Sequence, residues 1–180
     1  KQRVAIALAF SVNPELIIAD EPVSSLDVSV QASIINLLVD IQRKYHSSNL
    51  LISHNMAVAT YMADDVLVMY HGQVMQYGKT SRILSPPYHP YTELLLSSLL
   101  ENRFSKHFPT SLEEVTSPDK LDLLKGCPYS SRCLRSLGRK CEDEIPTMQE
   151  TLDGAKIFCH IPISRLQTDQ VDLFQDNGQW

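Results

Sequence analysis

The sequence predicts an α/β protein in which helices flank a parallel sheet, followed by a small cysteine-rich C-terminal module. Short apolar runs alternate with helix-like segments through the first 84 residues. A proline-rich stretch then breaks this alternation, and all four cysteines lie beyond residue 126. We therefore expect a sheet-forming part over residues 1–84, a second part over 85–165 and a polar tail over 166–180.

Composition narrows the class of protein. The 180 residues include 16 Lys+Arg and 21 Asp+Glu, for a net charge of −5, and are 43% hydrophobic and 21% charged. These fractions are typical of a packed globular protein, and the acidic balance argues against a broad nucleic-acid-binding surface. No apolar run reaches the roughly 20 residues that span a bilayer. Because the chain begins with Lys1, we expect it to be part of a longer protein.

The first elements follow from apolar spacing. Arg3 to Val12 predicts a helix that ends before Pro14, and Leu16 to Ala19 is typical of a strand buried on both faces. A second buried strand is expected at Leu50 to Ile52. Between them, apolar residues at helical spacing predict a helix that Asp27 could cap. Those residues are Val30, Ile34, Leu37, Leu38 and Ile41.

The later elements are set by turn and breaker residues. Met56 to Ala63 predicts a short helix, and His71-Gly72 between two apolar runs predicts a hairpin. Pro90 suits the first position of a helix that His89 caps. We expect the apolar face of that helix to comprise Leu94, Leu95, Leu99 and Leu100. Residues 102–120 are polar and predict a linker.

Two adjacent carboxylates, Asp20 and Glu21, follow the first predicted strand. Ligands of open α/β sheets bind at the carboxyl ends of strands, so this is a candidate site. Asp20 could hold Mg²⁺ through its water ligands, and Glu21 could act as general base on a water beside a terminal phosphate. The alternative is an exposed acidic turn.

His54 closes the next predicted strand, and the segment Ser24 to Asp27 follows the carboxylates. A histidine at the same sheet edge could donate a hydrogen bond to a γ-phosphate oxygen. By itself it could equally be a surface or capping histidine. The combined order of strand, Asp-Glu, Ser-Leu-Asp, helix, strand and Ser-His favours a nucleotide site.

In this order of motifs, residues 1–77 resemble the C-terminal half of an ABC transporter nucleotide-binding domain, a P-loop fold. The resemblance implies that Asp20 and Glu21 are the Walker B aspartate and the catalytic glutamate, and that His54 is the switch histidine. Ser24 to Asp27 resemble the D-loop, which implies that Ser25 and Asp27 contact nucleotide or Mg²⁺. The implied cofactors are ATP and Mg²⁺. Asn55 stands where the family usually has Asp, and we assign this difference a small effect.

Two phosphate-gripping elements of that family have no counterpart in the sequence. The pattern G-x-x-x-x-G-K-[ST] does not occur in it. The resemblance places the signature glycines and the Q-loop before Lys1. We therefore expect the 180-residue chain alone neither to bind ATP tightly nor to hydrolyse it.

The four cysteines are spaced C-x5-C-x7-C-x17-C over Cys127, Cys133, Cys141 and Cys159. Four thiolates could close one site for Zn²⁺ or for a [4Fe–4S] cluster. The tight C-x2–4-C knuckles of structural zinc are absent, which modestly favours the cluster. Four buried thiols without a metal are the alternative.

Residues 85–162 resemble the C-terminal extension of the oligopeptide/dipeptide (and nickel) importer ATPases. His89 to Thr92 match its His-Pro-Tyr-Thr segment, and Gly126 to Cys133 match its Gly-Cys-Pro-x-x-x-Arg-Cys motif. This resemblance implies a [4Fe–4S] cluster on the four cysteines, with Zn²⁺ as the alternative.

The resemblance implies the energy-coupling ATPase subunit of an ABC importer for peptides, with nickel as a competing cargo. Its partners would be a second ATP-binding subunit in a homo- or heterodimer, integral membrane permeases and, indirectly, an extracytoplasmic substrate-binding protein. It would lie peripherally on the cytoplasmic face of the inner membrane and bind no nucleic acid. The alternative is a non-transport ABC-type ATPase with a structural metal module, although the sequence has neither a basic face nor a long coiled-coil insertion.

Overall fold

The computed structural model describes residues 2–24, 26–99 and 125–170. The chain forms two compact units, Lys1–Ala63 and Asp64–Trp180. The predicted linker at 102–120 and the last ten residues of the predicted tail lie outside the described residues.

The first unit is a parallel strand pair with three helices. Its elements are α1 (Gln2–Phe10), β1 (Leu16–Asp20), α2 (Val28–Tyr45), β2 (Ser48–Ile52) and α3 (Met56–Met62). The strands pair in parallel register, which places Asp20 beside Ile52 at their carboxyl ends. The α/β class and the order of these elements are therefore as the sequence predicts.

The core of the first unit lies on one face of the strand pair. It consists of Phe10, Val23, Ile34, Leu38 and Val58. The prediction that the strands are buried on both faces is wrong for the described residues. Leu16 and Ile18 are 54% and 63% exposed, and Leu50 and Ile52 are 51% and 48% exposed. The helices cover one face only, and strand side chains alternate between the two faces.

The start of α2 is stabilised by a different side chain from the one that the sequence predicts. Asp27 occupies the N-cap position with an extended backbone, but its side chain makes no capping hydrogen bond. Instead, the Gln31 amide Nε2 donates to the carbonyl oxygens of Val23 and Leu26 at 3.1 and 3.0 Å. This side chain fastens the loop after β1 to the first turn of the helix.

The second unit is built on an antiparallel sheet. Its elements are β3 (Asp65–Tyr70), β4 (Gln73–Lys79), α4 (Thr80–Ile83), α5 (Pro90–Ser98), a 3₁₀ turn (Ser130–Arg132), α6 (Arg139–Asp143), β5 (Met148–Glu150), β6 (Lys156–Phe158) and α7 (Ile163–Asp169). The predicted hairpin is confirmed: His71 and Gly72 join β3 to β4 with φ of 46° and 77°. Two consecutive positive φ values are typical of a type I′ turn, which matches strand twist.

The cysteine-bearing segment is not a separate module, contrary to the sequence expectation. The strand order is β3-β4-β6-β5, and Ile157 of β6 pairs with Gln76 of β4. Ile157, Cys159, Ile161 and Leu166 form one buried apolar cluster. The boundary between the units therefore lies after Ala63 rather than after residue 84, because strand pairing joins the hairpin to the later segment.

The helix α5 confirms two predictions and corrects a third. Pro90 is its first residue, and the His89 Nδ1 accepts from the Tyr91 amide at 3.1 Å as its N-cap. The buried side is not the predicted leucine face, since Leu99 is 37% exposed and Leu100 lies outside the described residues. The buried residues of the helix are Pro90, Thr92, Glu93, Leu96 and Ser97.

The start of the predicted polar tail is ordered within the second unit. Leu166 is fully buried and Gln170 is 6% exposed. The Gln170 side chain accepts from the Tyr88 amide at 2.7 Å and donates to the Tyr88 carbonyl at 3.0 Å. The predicted polar tail is thus packed within the second unit as far as residue 170.

Among the described helices, none combines the length and apolar character needed to cross a membrane.

Candidate functional site

The candidate site lies where β1 and β2 end. The Glu21 Oε1 is 2.8 Å from the His54 Nδ1 and accepts the His54 backbone N–H at 3.1 Å. These residues are 33 positions apart in the sequence. They meet because β1 and β2 pair in parallel. Glu21 directly follows the end of β1, and His54 closely follows the end of β2. The sequence prediction that Glu21 and His54 converge at one sheet edge agrees with this geometry.

The backbone around Glu21 turns the chain sharply after β1. Glu21 adopts a left-handed conformation with φ of 46°, and its N–H donates to the Ile52 carbonyl at 2.9 Å. The Glu21 carbonyl accepts from both the amide and the hydroxyl of Ser24, at 3.2 and 2.9 Å. A positive φ is uncommon for a residue with a side chain. Here, hydrogen bonds from both sides hold it, and the carboxylate faces the end of β2.

The two residues that flank His54 hold it at the start of α3. The Asn55 N–H donates to the Ser53 Oγ at 3.1 Å. The Asn55 Oδ1 caps α3 by accepting from the amides of Ala57 and Val58 at 3.0 and 3.3 Å. Sequence reasoning treated Asn55 only as a departure from a family pattern. An Asn directly before a short apolar helix was the signal that could have identified this cap.

The other described residues of the predicted nucleotide site are exposed. Asp20 is exposed at the last position of β1, and Asp27 is exposed at the N-cap position of α2. Ser25 lies outside the described residues. Only Glu21 and His54 of the five predicted nucleotide-site residues are joined by hydrogen bonds in the described part of the chain.

The pair remains accessible to a ligand. The His54 side chain is 78% exposed and the Glu21 side chain 35% exposed. A carboxylate that keeps contact with solvent can accept a proton from a water, which is the task of a general base. The exposed carboxylate of Asp20, an oxygen donor at the same strand end, fits the preference of Mg²⁺ for one or two carboxylates. The site thus presents carboxylate oxygens and an imidazole to solvent at the ends of two neighbouring strands.

The predicted iron–sulfur cluster is wrong, and so is its zinc alternative. Within residues 2–24, 26–99 and 125–170, no group of three or more His, Cys, Asp or Glu side chains could hold a metal ion. The four cysteines are free thiols. Cysteine spacing shows how far apart ligands are in sequence, but it does not decide where the sulfur atoms point.

The cysteines instead resemble small apolar core residues. Cys127, Cys141 and Cys159 are buried, and Cys159 packs within the apolar cluster of β6 and α7. Burial, with smaller contributions from the other thiols, raises the pKa of Cys133 and of Cys159 to about 11. At neutral pH such thiols are protonated, whereas metal ligation needs thiolates.

A buried polar network in the second unit was missed by sequence reasoning. Arg135 donates to both carboxylate oxygens of Glu93, at 3.1 and 3.0 Å, and the Gln170 Nε2 donates to the same carboxylate at 2.9 Å. Glu93 is 4% exposed. The network joins α5 to the cysteine-bearing segment and to the end of α7. Its signal in the sequence was the one charged residue in the otherwise uncharged helix PYTELLLSS.

Comparison with known proteins supports the resemblance in the sequence. Residues 75–141 match the family profile described as "Oligopeptide/dipeptide transporter, C-terminal region". The dipeptide transport ATP-binding protein DppF of Haemophilus influenzae is 38% identical over 161 residues, which cover 88% of this chain and 48% of the relative. DppD of Escherichia coli, with the same description, is 41% identical over 90% of this chain and 49% of its own length.

Further relatives have the same partial coverage. The oligopeptide transport ATP-binding protein AppF of Bacillus subtilis is 38% identical over 89% of this chain and 49% of its own length. The chain thus spans about half the length of the curated relatives it matches. A solved inward-facing putative metal-chelate type ABC transporter aligns with 54% of this chain and 37% of its own, at 25% identity and a TM-score of 0.46.

Proposed function

We propose that this chain, which corresponds to the C-terminal part of an ATP-binding subunit of the oligopeptide/dipeptide transporter family, contributes the hydrolytic half-site of an ABC importer ATPase. One observation carries this proposal: the Glu21 carboxylate and the His54 imidazole meet, 2.8 Å apart, at the carboxyl ends of two parallel strands. Relatives described as dipeptide and oligopeptide transport ATP-binding proteins support it.

Each residue has a separate role in the proposed reaction. Glu21 accepts a proton from the water that attacks the terminal phosphate, and His54 is placed to contact the phosphate on its other side. Asp20 would hold Mg²⁺, which when bound neutralises charge on the phosphate oxygens. Ser25 and Asp27 would contact nucleotide or Mg²⁺ from the loop before α2. The short hydrogen-bonded turn after Glu21 keeps the carboxylate at the sheet edge.

The partners follow from the proposed function. The whole protein would pair with a second ATP-binding subunit and act on integral membrane permeases, and an extracytoplasmic binding protein would deliver the cargo. It would lie on the cytoplasmic face of the inner membrane. Peptides are the proposed cargo because the relatives' descriptions name dipeptides and oligopeptides.

The proposal is tested in the full-length protein that contains this chain. Glu21→Gln should reduce ATP hydrolysis by more than a hundredfold while ATP binding, measured by fluorescence titration of a labelled nucleotide, changes less than threefold. The amide cannot accept the proton of the attacking water. Glu15→Gln, an exposed position just before β1, is the matched control and should retain wild-type turnover. Undiminished hydrolysis in Glu21→Gln would disprove the assignment of the base.

The 180-residue chain provides a second test. Without a phosphate-gripping loop, it should show neither phosphate release from ATP nor saturable nucleotide binding by calorimetry. Turnover by the purified chain that Glu21→Gln abolishes would mean that the half-site suffices for catalysis. That result would contradict the proposed need for the rest of the protein.

A further inference from the structure

The side chain of Gln31 bridges two carbonyl groups of the loop between β1 and α2. Its Nε2 donates to the Val23 carbonyl at 3.1 Å and to the Leu26 carbonyl at 3.0 Å. A primary amide nitrogen has two hydrogens, so this one group can serve both acceptors. The Gln31 backbone N–H also donates to the Asp27 carbonyl at 2.9 Å, at the start of α2. The bridge therefore connects the loop to the first turns of the helix.

The two bridged residues are also packed against the core of the first unit. The Val23 side chain is 4% exposed within the core cluster, and Leu26 packs against that cluster. Apolar packing is non-directional, so it holds these side chains without setting the direction of their carbonyl groups. Hydrogen bonds weaken steeply when they bend, so the Gln31 amide does set that direction. Packing and bridge together fix the backbone at Val23 and Leu26.

The part of the loop that Gln31 fastens leads back to Glu21. Ser24 adjoins Val23, and its amide and hydroxyl donate to the Glu21 carbonyl at 3.2 and 2.9 Å. Glu21 has a φ of 46°, a conformation that a residue with a side chain keeps only when the surrounding structure holds it. A continuous path of hydrogen bonds and adjoining residues thus runs from Gln31 through Val23 and Ser24 to the backbone of Glu21.

We propose that Gln31 is a positioning residue for ATP hydrolysis, because it fixes the loop that holds the backbone of Glu21 in place. This inference rests on the proposed function, in which Glu21 is the base. Without the bridge, the carboxylate is chemically intact but is no longer confined to one position. Misplacement of a catalytic group by about 1 Å can reduce a rate by about a hundredfold. Ground-state binding of ATP needs no proton transfer to Glu21, so the loss should fall on kcat rather than on KM.

The test compares Gln31→Met with Gln42→Met in the full-length protein that contains this chain. Methionine is close to glutamine in length but has no N–H, so it removes both hydrogen bonds while it keeps the bulk of the side chain. Gln42 is a matched control, since it lies on the same helix and both side chains are half-buried. Gln31→Met should lower kcat by about tenfold or more and change KM for ATP by less than about threefold. Gln42→Met should keep both constants. Equal effects in the two variants, or a change confined to KM, would overturn the proposal.

Hydrogen exchange of the same proteins gives a readout that does not depend on hydrolysis. In Gln31→Met, the amides of residues 21–31 should exchange at least about fivefold faster than in wild type, because the loop opens locally more often. In Gln42→Met they should exchange at the wild-type rate. Unchanged exchange in Gln31→Met would show that the bridge does not fix the loop, and would overturn the proposal whatever happens to kcat.

A second variant covers the case in which Gln31→Met does not fold. Gln31→Glu has the same shape, but an ionised carboxylate cannot donate to the Val23 and Leu26 carbonyls. It should show the same fall in kcat and the same faster exchange. Faster exchange with undiminished kcat in either variant would overturn the positioning role alone. The proposed function fails on a different result, undiminished hydrolysis in Glu21→Gln, so the two failures are distinguishable.

Discussion

Arg135 and Glu93 form a two-point ion pair across 42 positions of sequence. The Glu93 side chain is 6% exposed and the Arg135 side chain 30% exposed. The contact raises the pKa of the Arg135 guanidinium, chiefly through its hydrogen bond to Glu93. This pair fastens the cysteine-bearing segment to α5, in a unit whose sheet contacts in that region come from two three-residue strands.

We predict that Arg135→Met lowers the free energy of unfolding by about 2–3 kcal/mol, because it leaves a buried carboxylate with Gln170 as its remaining described partner. Urea denaturation followed by circular dichroism measures this loss. Arg165→Met is the matched control, since Arg165 pairs with Asp169 one helical turn away on an exposed surface. That variant should change stability by less than about 0.5 kcal/mol. Equal losses in both variants would contradict a special role for the buried pair.

His89 should make stability depend on pH. Burial lowers its pKa from 6.5 to about 4 in the folded state, so the unfolded chain binds more protons between these values. The contribution of neutral His89 to the free energy of unfolding is therefore complete above about pH 6.5 and is lost as the pH falls toward 4. The steepest loss is about 1.4 kcal/mol per pH unit.

His89→Asn isolates this effect, because Asn can also cap α5 but does not titrate. The difference in free energy of unfolding between wild type and His89→Asn should decrease as the pH falls from 7 to 4, as measured by urea denaturation at each pH. A gap that stays constant would show that His89 is protonated without cost in the fold.

Gly126 should not tolerate a side chain. A Cβ at this position would meet the carbonyl oxygens of Cys141 and Glu142, the latter at 2.5 Å. Both are backbone atoms, and the Cys127 N–H bonds the Cys141 carbonyl at 2.8 Å, so neither can move aside cheaply. We predict that Gly126→Ala costs more than about 2 kcal/mol of unfolding free energy.

Gly72→Ala is the comparison for Gly126. Gly72 has a φ of 77° and nothing within 4 Å of an added Cβ, so its cost is backbone strain alone. That cost should be about 1 kcal/mol, as measured by the shift in denaturation midpoint. A smaller loss at Gly126 than at Gly72 would mean that the close backbone approach does not form.

Asn55 should contribute through its cap on α3. Asn55→Ala removes the acceptor of two amide hydrogen bonds and should destabilise the first unit by about 1 kcal/mol. Asn55→Asp retains an oxygen that caps equally well and should remain within about 0.5 kcal/mol of wild type. Loss of stability in both variants would indicate that the amide group, rather than the cap, is needed.

Local signals were sufficient for most elements of the fold. Apolar spacing predicted α2 over residues that the structure gives as Val28–Tyr45, and His71-Gly72 predicted the turn between β3 and β4. Pro90 and His89 marked the start of α5. Each of these signals acts within a few residues, where backbone geometry and capping depend on residue type alone.

Signals that depend on distant pairing failed. The pairing of β6 with β4 could not be predicted, because three residues carry too little alternation to be recognised as a strand. The cysteine spacing suggested a metal site, but three of the four thiols are buried, and Cys159 packs within an apolar cluster. Likewise, the leucine pattern of α5 did not reveal that Glu93 would be buried against Arg135.

Local features of the chain specify which residues stand at the ends of the two parallel strands, because strand boundaries and the order of Asp20, Glu21 and His54 depend on short stretches of sequence. Which atoms of that set meet is set by tertiary contacts. The left-handed turn at Glu21 and the cap at Asn55 place one carboxylate oxygen against the backbone N–H and the Nδ1 of His54. Hydrogen-bond direction and burial arise from packing between segments, and no one segment encodes them.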